Sequence, residues 1–121
     1  RHTRFMSVSW AGDVYKRQIL VFAAVKDKEY DSMIHLLAGN ITFGRIIVTS
    51  VDSSRKADSA KLAEIFSACT DTPVMVSDEI DDAMDMAVEL RGDRENTNIY
   101  CVGSLYLVGG VKRWRNRHDQ F

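Results

Sequence analysis

Short apolar runs alternate along the chain with longer amphipathic segments. The first run, residues 19–25 (ILVFAAV), is continuous and rich in residues that favour β-structure, which is typical of a strand buried on both faces. The next segment has the spacing of one helical stripe, with apolar side chains at Tyr30, Met33, Ile34 and Leu37. The pattern therefore predicts a buried strand followed by an amphipathic helix.

The same pair of elements recurs three more times. Further strands are predicted at residues 45–50, 73–76 and 98–102, and an amphipathic helical segment follows each of them. Strands and helices that alternate at this spacing indicate right-handed βαβ crossovers. The sequence therefore predicts an α/β fold of the Rossmann-like, three-layer type, with a mostly parallel sheet and helices on both faces. The order of the strands in the sheet is not readable from the pattern.

The first eighteen residues do not share this rhythm. They show neither a period of 2 nor a period of 3.6 over a useful length, and the alternation begins only at Ile19. We expect residues 1–18 to be an unrelated tail, such as a fusion scar, an assembly artefact or a truncated neighbouring element. Residues 19–121 are long enough for one domain with its own core and too short for two.

The composition argues against several classes of partner. A hydrophobic fraction of 45% and a charged fraction of 27% are ordinary for a soluble globular protein. The net charge of −1 provides no general attraction to nucleic acid or to an anionic membrane, and no apolar run approaches the roughly 20 residues that span a bilayer. Cys69 and Cys101 lie in apolar segments without a Cys-x-x-Cys spacing, which indicates buried free thiols. We therefore expect a cytoplasmic protein.

The turn after the last predicted strand, Gly103-Ser104, is the first candidate for chemistry. In open parallel sheets, ligands bind beyond the carboxyl ends of the strands. Gly103 allows a sharp turn or a close backbone approach to a ligand, and Ser104 is a preferred N-cap. The free amides of a helix start at Ser104 are a natural seat for a carboxylate or phosphate. The alternative is that Ser104 only caps its helix.

Two adjacent glycines, Gly109 and Gly110, lie inside the last predicted helix. Each one weakens a helix by about 1 kcal/mol relative to alanine. Either a neighbouring element packs closely at this point or the helix bends.

Two runs of charge have simple structural interpretations. The acidic residues at 78–82 open a predicted helix, where negative charge complements the macrodipole, so we do not interpret them as a metal site. The basic residues at 112–117 end the last helix and complement its dipole in the same way, without a nucleic-acid partner. Neither a metal site nor a catalytic residue is predicted from these patterns.

Three stretches of the chain, residues 19–37, 45–66 and 98–114, resemble the C-terminal domain of the folylpolyglutamate synthase / dihydrofolate synthase family, part of the Mur ligase superfamily. The strongest pieces are Asp-Lys-Glu at 27–29, the loop that carries Arg55, and Gly-Ser-Leu-Tyr-Leu-Val-Gly at 103–109. Their order and spacing together are fairly specific. The resemblance covers about residues 19–115.

The resemblance implies an enzyme of folate biosynthesis and one-carbon metabolism. Such a ligase uses ATP to join glutamate to a folate or pteroate carboxylate through an acyl phosphate. It also implies that ATP and Mg²⁺ are bound mainly by an N-terminal ATPase domain, and that the parent enzyme is monomeric. The substrate- or nucleotide-binding positions carried over from the family are Lys26, Asp27, Lys28, Arg55, Gly103 and Ser104.

Two family motifs are missing from the chain. There is no Gly-x-x-x-x-Gly-Lys-Ser/Thr phosphate loop and no Asp-x-Ala-His-Asn stretch. We therefore expect a fragment, truncated on its N-terminal side and inactive alone. Two alternatives stay open: a non-catalytic small α/β binding module, and the C-terminal domain of another Mur-type amino-acid ligase. Against a flavin- or dinucleotide-binding module, no Gly-x-Gly-x-x-Gly opens the first helix.

Overall fold

The computed structural model describes residues 18–26, 29–51, 54, 56–92, 97–103 and 105–117. Strands and helices alternate strictly along this part of the chain, as the sequence predicts. In chain order the elements are β1 (Ile19–Ala23), α1 (Tyr30–Asn40), β2 (Arg45–Val48), α2 (Ser59–Cys69), β3 (Val74–Val76), α3 (Ile80–Arg91), β4 (Ile99–Gly103) and α4 (Leu105–Arg117).

The four strands form one parallel sheet in the order β3-β2-β1-β4. β1 lies in the interior of the sheet, where Ile19 is in register with Arg45 of β2 and with Ile99 of β4. All five residues of β1 are buried, whereas those of β4 at the sheet edge are half-buried. The predicted α/β fold with a parallel sheet is confirmed.

Alternate side chains of β1 enter two separate apolar cores. Val21 and Ala23 pack on the face covered by α3 and α4, while Leu20 and Phe22 pack on the face covered by α1 and α2. This alternation follows from the period of two along a strand. Because both faces are covered, every position of β1 must be apolar, which explains the continuous run at 19–25.

Gln18, the last residue of the predicted tail, is buried at the start of the sheet. Its carbonyl oxygen accepts hydrogen bonds from the Gly44 and Arg45 amides at 2.7 and 3.3 Å. Its side-chain Oε1 accepts another from the Asn98 amide at 3.2 Å. Residues 1–17 lie outside the described residues, so the domain boundary after residue 18 stays a prediction.

Gly110, the second glycine of the pair in α4, lies where another helix packs closely. A Cβ atom on Gly110 would lie 2.5 Å from Cδ1 of Ile80, at the start of α3. A Cβ on Gly109 would lie 3.5 Å from Nη1 of Arg113, one turn further along α4. A neighbouring element therefore approaches closely at Gly110, whereas the contact at Gly109 is an ordinary one within α4. α4 continues through the pair as one helix.

Both cysteines are free thiols, as the sequence predicts. The sequence also predicts that they are buried, whereas in the structure both are half-buried. Sγ of Cys101 lies 3.9 Å from Sδ of Met84 on the face covered by α3 and α4. Burial raises the pKa of the Cys101 thiol from 9.0 to about 11, because the thiolate is poorly solvated there. Cys101 therefore stays protonated at neutral pH, and its thiol is a weak nucleophile.

The shifted pKa of Cys101 predicts a pH dependence of stability. The folded state binds the thiol proton more tightly than the unfolded state does, so this contribution is complete below pH 9 and is lost as the pH rises toward 11. We expect the free energy of unfolding, measured by urea titration, to fall more steeply between pH 9 and 11 in the parent chain than in Cys101→Ala. Equal slopes in the two proteins would contradict the prediction.

Candidate functional site

The carboxyl ends of the parallel strands meet at one edge of the sheet, here called the rim. In a parallel sheet, this edge gathers the loops that follow the strands and the first turns of the helices, and ligands bind there. Two of the predicted binding residues are described. Lys26 is exposed in a turn just after β1, and Gly103 ends β4. Asp27, Lys28, Arg55 and Ser104 lie outside the described residues.

Gly103 is held against the neighbouring strand. It pairs with Ala23 of β1 and has a φ of +139°, which L side chains rarely adopt. A Cβ atom at this position would lie 1.8 Å from the carbonyl oxygen of Ala23. The sequence suggested a sharp turn or an approach to a ligand, and the structure provides a different reason for this glycine, the close contact between two strands.

Two backbone contacts tie the loop after β2 to the end of β1. Val25 and Lys56 form an isolated antiparallel bridge, and the Ala57 amide donates a hydrogen bond to the carbonyl oxygen of Ala24 at 2.9 Å. We call these four residues, 24–25 and 56–57, the strap. The strap brings the segment that contains Lys56 next to the turn that contains Lys26.

A cleft of about 300 Å³ opens on the rim between the loop after β2 and the helices α3 and α4. Its lining is mostly polar and comes from three parts of the chain. The lining residues are Ser50, Val51, Lys56, Asp78, Glu79, Ile80, Asp81, Gly110, Arg113 and Arg117. Neither Lys26 nor Gly103 is among them.

Two of the carboxylates in the cleft are engaged by neighbouring groups. Arg117 forms an ion pair with Asp81, which joins the end of α4 to the start of α3. The hydroxyl of Ser59, at the start of α2, donates a hydrogen bond of 2.7 Å to Asp78. These contacts leave the side chains of Lys56, Glu79 and Arg113 without a hydrogen bond or ion pair to any other described residue.

The position of α4 against α3 sets the far wall of the cleft. Leu107 is fully buried in the core under α4, and Nε1 of Trp114 donates a hydrogen bond of 2.9 Å to Asp85 of α3. Together with the Arg117–Asp81 pair, these contacts anchor α4 on both sides of Arg113. The guanidinium of Arg113 is therefore carried by a well-anchored part of the helix.

Sequence reasoning missed the residues that line this cleft. The sequence pattern favours a helix-dipole role for the acids at 78–82 and the bases at 112–117, and the family resemblance points to Arg55 rather than Lys56. The signal available for Lys56 and Asp78 was their position in the loops directly after β2 and β3. Nothing in the local pattern indicates that Arg113, at the far end of a helix, shares a cleft with them.

Within the part of the chain that the structure describes, no group of three His, Cys, Asp or Glu side chains could hold a metal ion. The same residues include no helix long and apolar enough to cross a membrane.

Comparison with family models and with curated proteins finds no match for this chain. Comparison with solved structures finds matches. The chain is similar to the folylpolyglutamate synthase of Mycobacterium tuberculosis complexed with ADP and AMPPCP, with a TM-score of 0.69 and 25% sequence identity over 81% of this chain. The resemblance to folylpolyglutamate synthase is confirmed.

A second folylpolyglutamate synthase, from Thermotoga maritima, shows the same fold. It matches 84% of this chain with a TM-score of 0.62 and 23% identity. The chain spans less than a quarter of the length of these folylpolyglutamate synthases, 23% of the first and 22% of the second. That share is consistent with one domain of a larger enzyme, as the sequence resemblance implies.

Proposed function

We propose that this chain is the C-terminal domain of an ATP-dependent ligase of the folylpolyglutamate / dihydrofolate synthase type. The parent enzyme joins glutamate to a folate or pteroate carboxylate. One observation supports this proposal above all: the match to the Mycobacterium tuberculosis synthase, which covers 81% of this chain with a TM-score of 0.69. That synthase was solved with ADP and AMPPCP, which supports nucleotide binding by the parent.

In the proposed reaction, the substrate carboxylate attacks the γ-phosphorus of ATP and releases ADP, which gives an acyl phosphate. The amino group of glutamate then attacks the acyl carbon, and inorganic phosphate leaves as the amide forms. Both steps bring anionic groups together, so their transition states need fixed positive charge and backbone donors. In this proposal an N-terminal ATPase domain, outside this chain, binds most of the ATP and Mg²⁺.

The proposed contribution of this chain is the rim. Lys26, Lys28 and Arg55 would contact phosphate or carboxylate oxygens, and the guanidinium of Arg55 can do so with two parallel hydrogen bonds. Asp27 would pair with one of these cations or cap the helix that follows. The helix start after Gly103, at Ser104, would bind a carboxylate of glutamate through its free amides. The chain alone would not turn over ATP, because its sequence contains no phosphate loop.

A domain-replacement experiment tests the proposal. The part of the Mycobacterium tuberculosis synthase that this chain matches is replaced by residues 18–117, and ATP-dependent addition of glutamate is measured. We expect the chimera to add glutamate and the isolated chain to show no ATP hydrolysis. A chimera that folds, as judged by circular dichroism and a cooperative unfolding transition, but adds no glutamate would contradict the proposed function.

The same chimera tests the role of the rim. Ser104→Leu places an apolar side chain at the proposed glutamate site, so the KM for glutamate is expected to rise about tenfold, equivalent to about 1.4 kcal/mol. Lys61→Ala, on the exposed surface of α2, serves as the control and is expected to leave that KM unchanged. An unchanged KM in Ser104→Leu would show that Ser104 is not part of the glutamate site, and it would not contradict the domain assignment.

A further inference from the structure

We propose that the cleft between the loop after β2 and the helices α3 and α4 binds an oxyanion, a phosphoryl or carboxylate group, between Lys56 and Arg113. This inference goes beyond the proposed function. It concerns residues outside the set carried over from the family, and it holds for the isolated chain whether or not that chain forms part of a ligase.

The backbone at Lys56 and Ala57 is held by contacts with the segment that follows β1. The strap pairs Lys56 with Val25 and ties Ala57 to Ala24. The two ends of the loop, Val51 and Ala57, are each only 2% exposed. A cation on a backbone held by such contacts loses less conformational entropy on binding than one on a free loop.

Arg113 is positioned by contacts that α4 makes on either side of it in the helix, and on the N-terminal side Leu107 is fully buried. Trp114 is hydrogen-bonded to Asp85, and Arg117 is paired with Asp81. These neighbours fix the part of α4 that carries Arg113. An arginine presents several N–H donors in one plane, which matches the geometry of phosphate and carboxylate oxygens.

Two of the three cations that line the cleft are available to an anionic group, although the lining also carries three carboxylates. Asp81 is neutralised by its pair with Arg117, and Asp78 accepts a hydrogen bond from Ser59. The charged side chains left without a described partner are two cations, Lys56 and Arg113, and one carboxylate, Glu79. An oxyanion can bind both cations, and its binding must overcome repulsion from Glu79 and from Asp78, whose charge the Ser59 hydroxyl does not neutralise.

The size of the cleft limits the ligand to a small group. Its volume of about 300 Å³ lies at the lower end of the range for small-molecule sites, roughly 300–1,000 Å³. A single phosphoryl or carboxylate group with its immediate substituents fits that volume. Lys56 and Arg113 are both exposed to solvent, so binding should weaken as salt is added.

A titration of the 121-residue chain tests the inference. Inorganic pyrophosphate and, separately, glutamate are added at low ionic strength, and amide shifts are followed by ¹⁵N NMR. We expect at least one probe to bind saturably with the largest shifts at residues 50–51, 56 and 78–81. Saturation by pyrophosphate alone would assign a phosphoryl group, and saturation by glutamate alone would assign a carboxylate.

Charge-matched variants separate the cleft from general electrostatic attraction. Lys56→Ala and Arg113→Ala are each expected to weaken binding, raising the dissociation constant at least fivefold. Lys61→Ala removes the same charge from the exposed face of α2 and is expected to change it less than twofold. An equal loss in all three variants, shifts spread over the whole surface, or no saturation by either probe would overturn the inference. None of these results depends on the glutamate-ligation assay, so failure of the cleft and failure of the proposed function are distinguishable.

Discussion

Replacing Gly103 with alanine is expected to prevent stable folding of this chain. The new Cβ atom would lie 1.8 Å from the carbonyl oxygen of Ala23, so the paired ends of β1 and β4 would have to separate. Since the obstruction is backbone, no side-chain rotation can relieve it. The φ of +139° adds a conformational penalty of about 1–3 kcal/mol for a residue with a side chain. We expect a total loss of more than about 4 kcal/mol, a large part of the roughly 5–15 kcal/mol that stabilises an ordinary domain.

The free energy of unfolding in urea measures this effect, and Gly39 provides a matched control. Gly39 lies in α1, and a Cβ atom there would meet nothing within 4 Å. Gly39→Ala should therefore stabilise the chain by about 0.5–1 kcal/mol through helix propensity alone. A Gly103→Ala variant that unfolds within 1 kcal/mol of the parent chain would show that β1 and β4 do not approach as closely as described.

Truncation of Phe66 to alanine is expected to have the second-largest effect. This side chain of α2 is fully buried, and its ring packs edge-to-face against Phe22 of β1 with 5.2 Å between ring centroids. Removal of the ring loses the burial of its apolar surface and leaves a cavity between the helix and the sheet. Substitutions of this kind cost about 3–5 kcal/mol.

Two controls separate the cavity from a general loss of apolar surface. Phe66→Leu keeps most of the volume and should cost clearly less than Phe66→Ala. Leu36→Ala removes an apolar side chain that is 64% exposed on α1, and it should change the urea midpoint only slightly. Equal destabilisation by Leu36→Ala and Phe66→Ala would contradict the described packing of α2 on the sheet.

The candidate site could be predicted only in part. The sequence predicts a site in the loops after the strands, because parallel strands with helical crossovers bring these loops to one rim. It does not predict that Lys56 and Arg113, which lie far apart in the chain, line the same cleft because α4 packs back on the start of α3. It also gives Gly103 a role near a ligand, whereas the described contact that requires a glycine is with Ala23.

The sequence by itself determined the number, type and order of the elements, since burial on both faces of a strand or one face of a helix leaves a local pattern in residue type. Together with the right-handedness of βαβ crossovers, this order of elements was sufficient to predict a parallel sheet with helices on both faces. Only the tertiary structure decided the strand order β3-β2-β1-β4, the strap between Val25 and Lys56, and the cleft against α4. Each of these depends on contacts between distant segments, and a pattern with a period of a few residues carries no record of which distant segment becomes a neighbour.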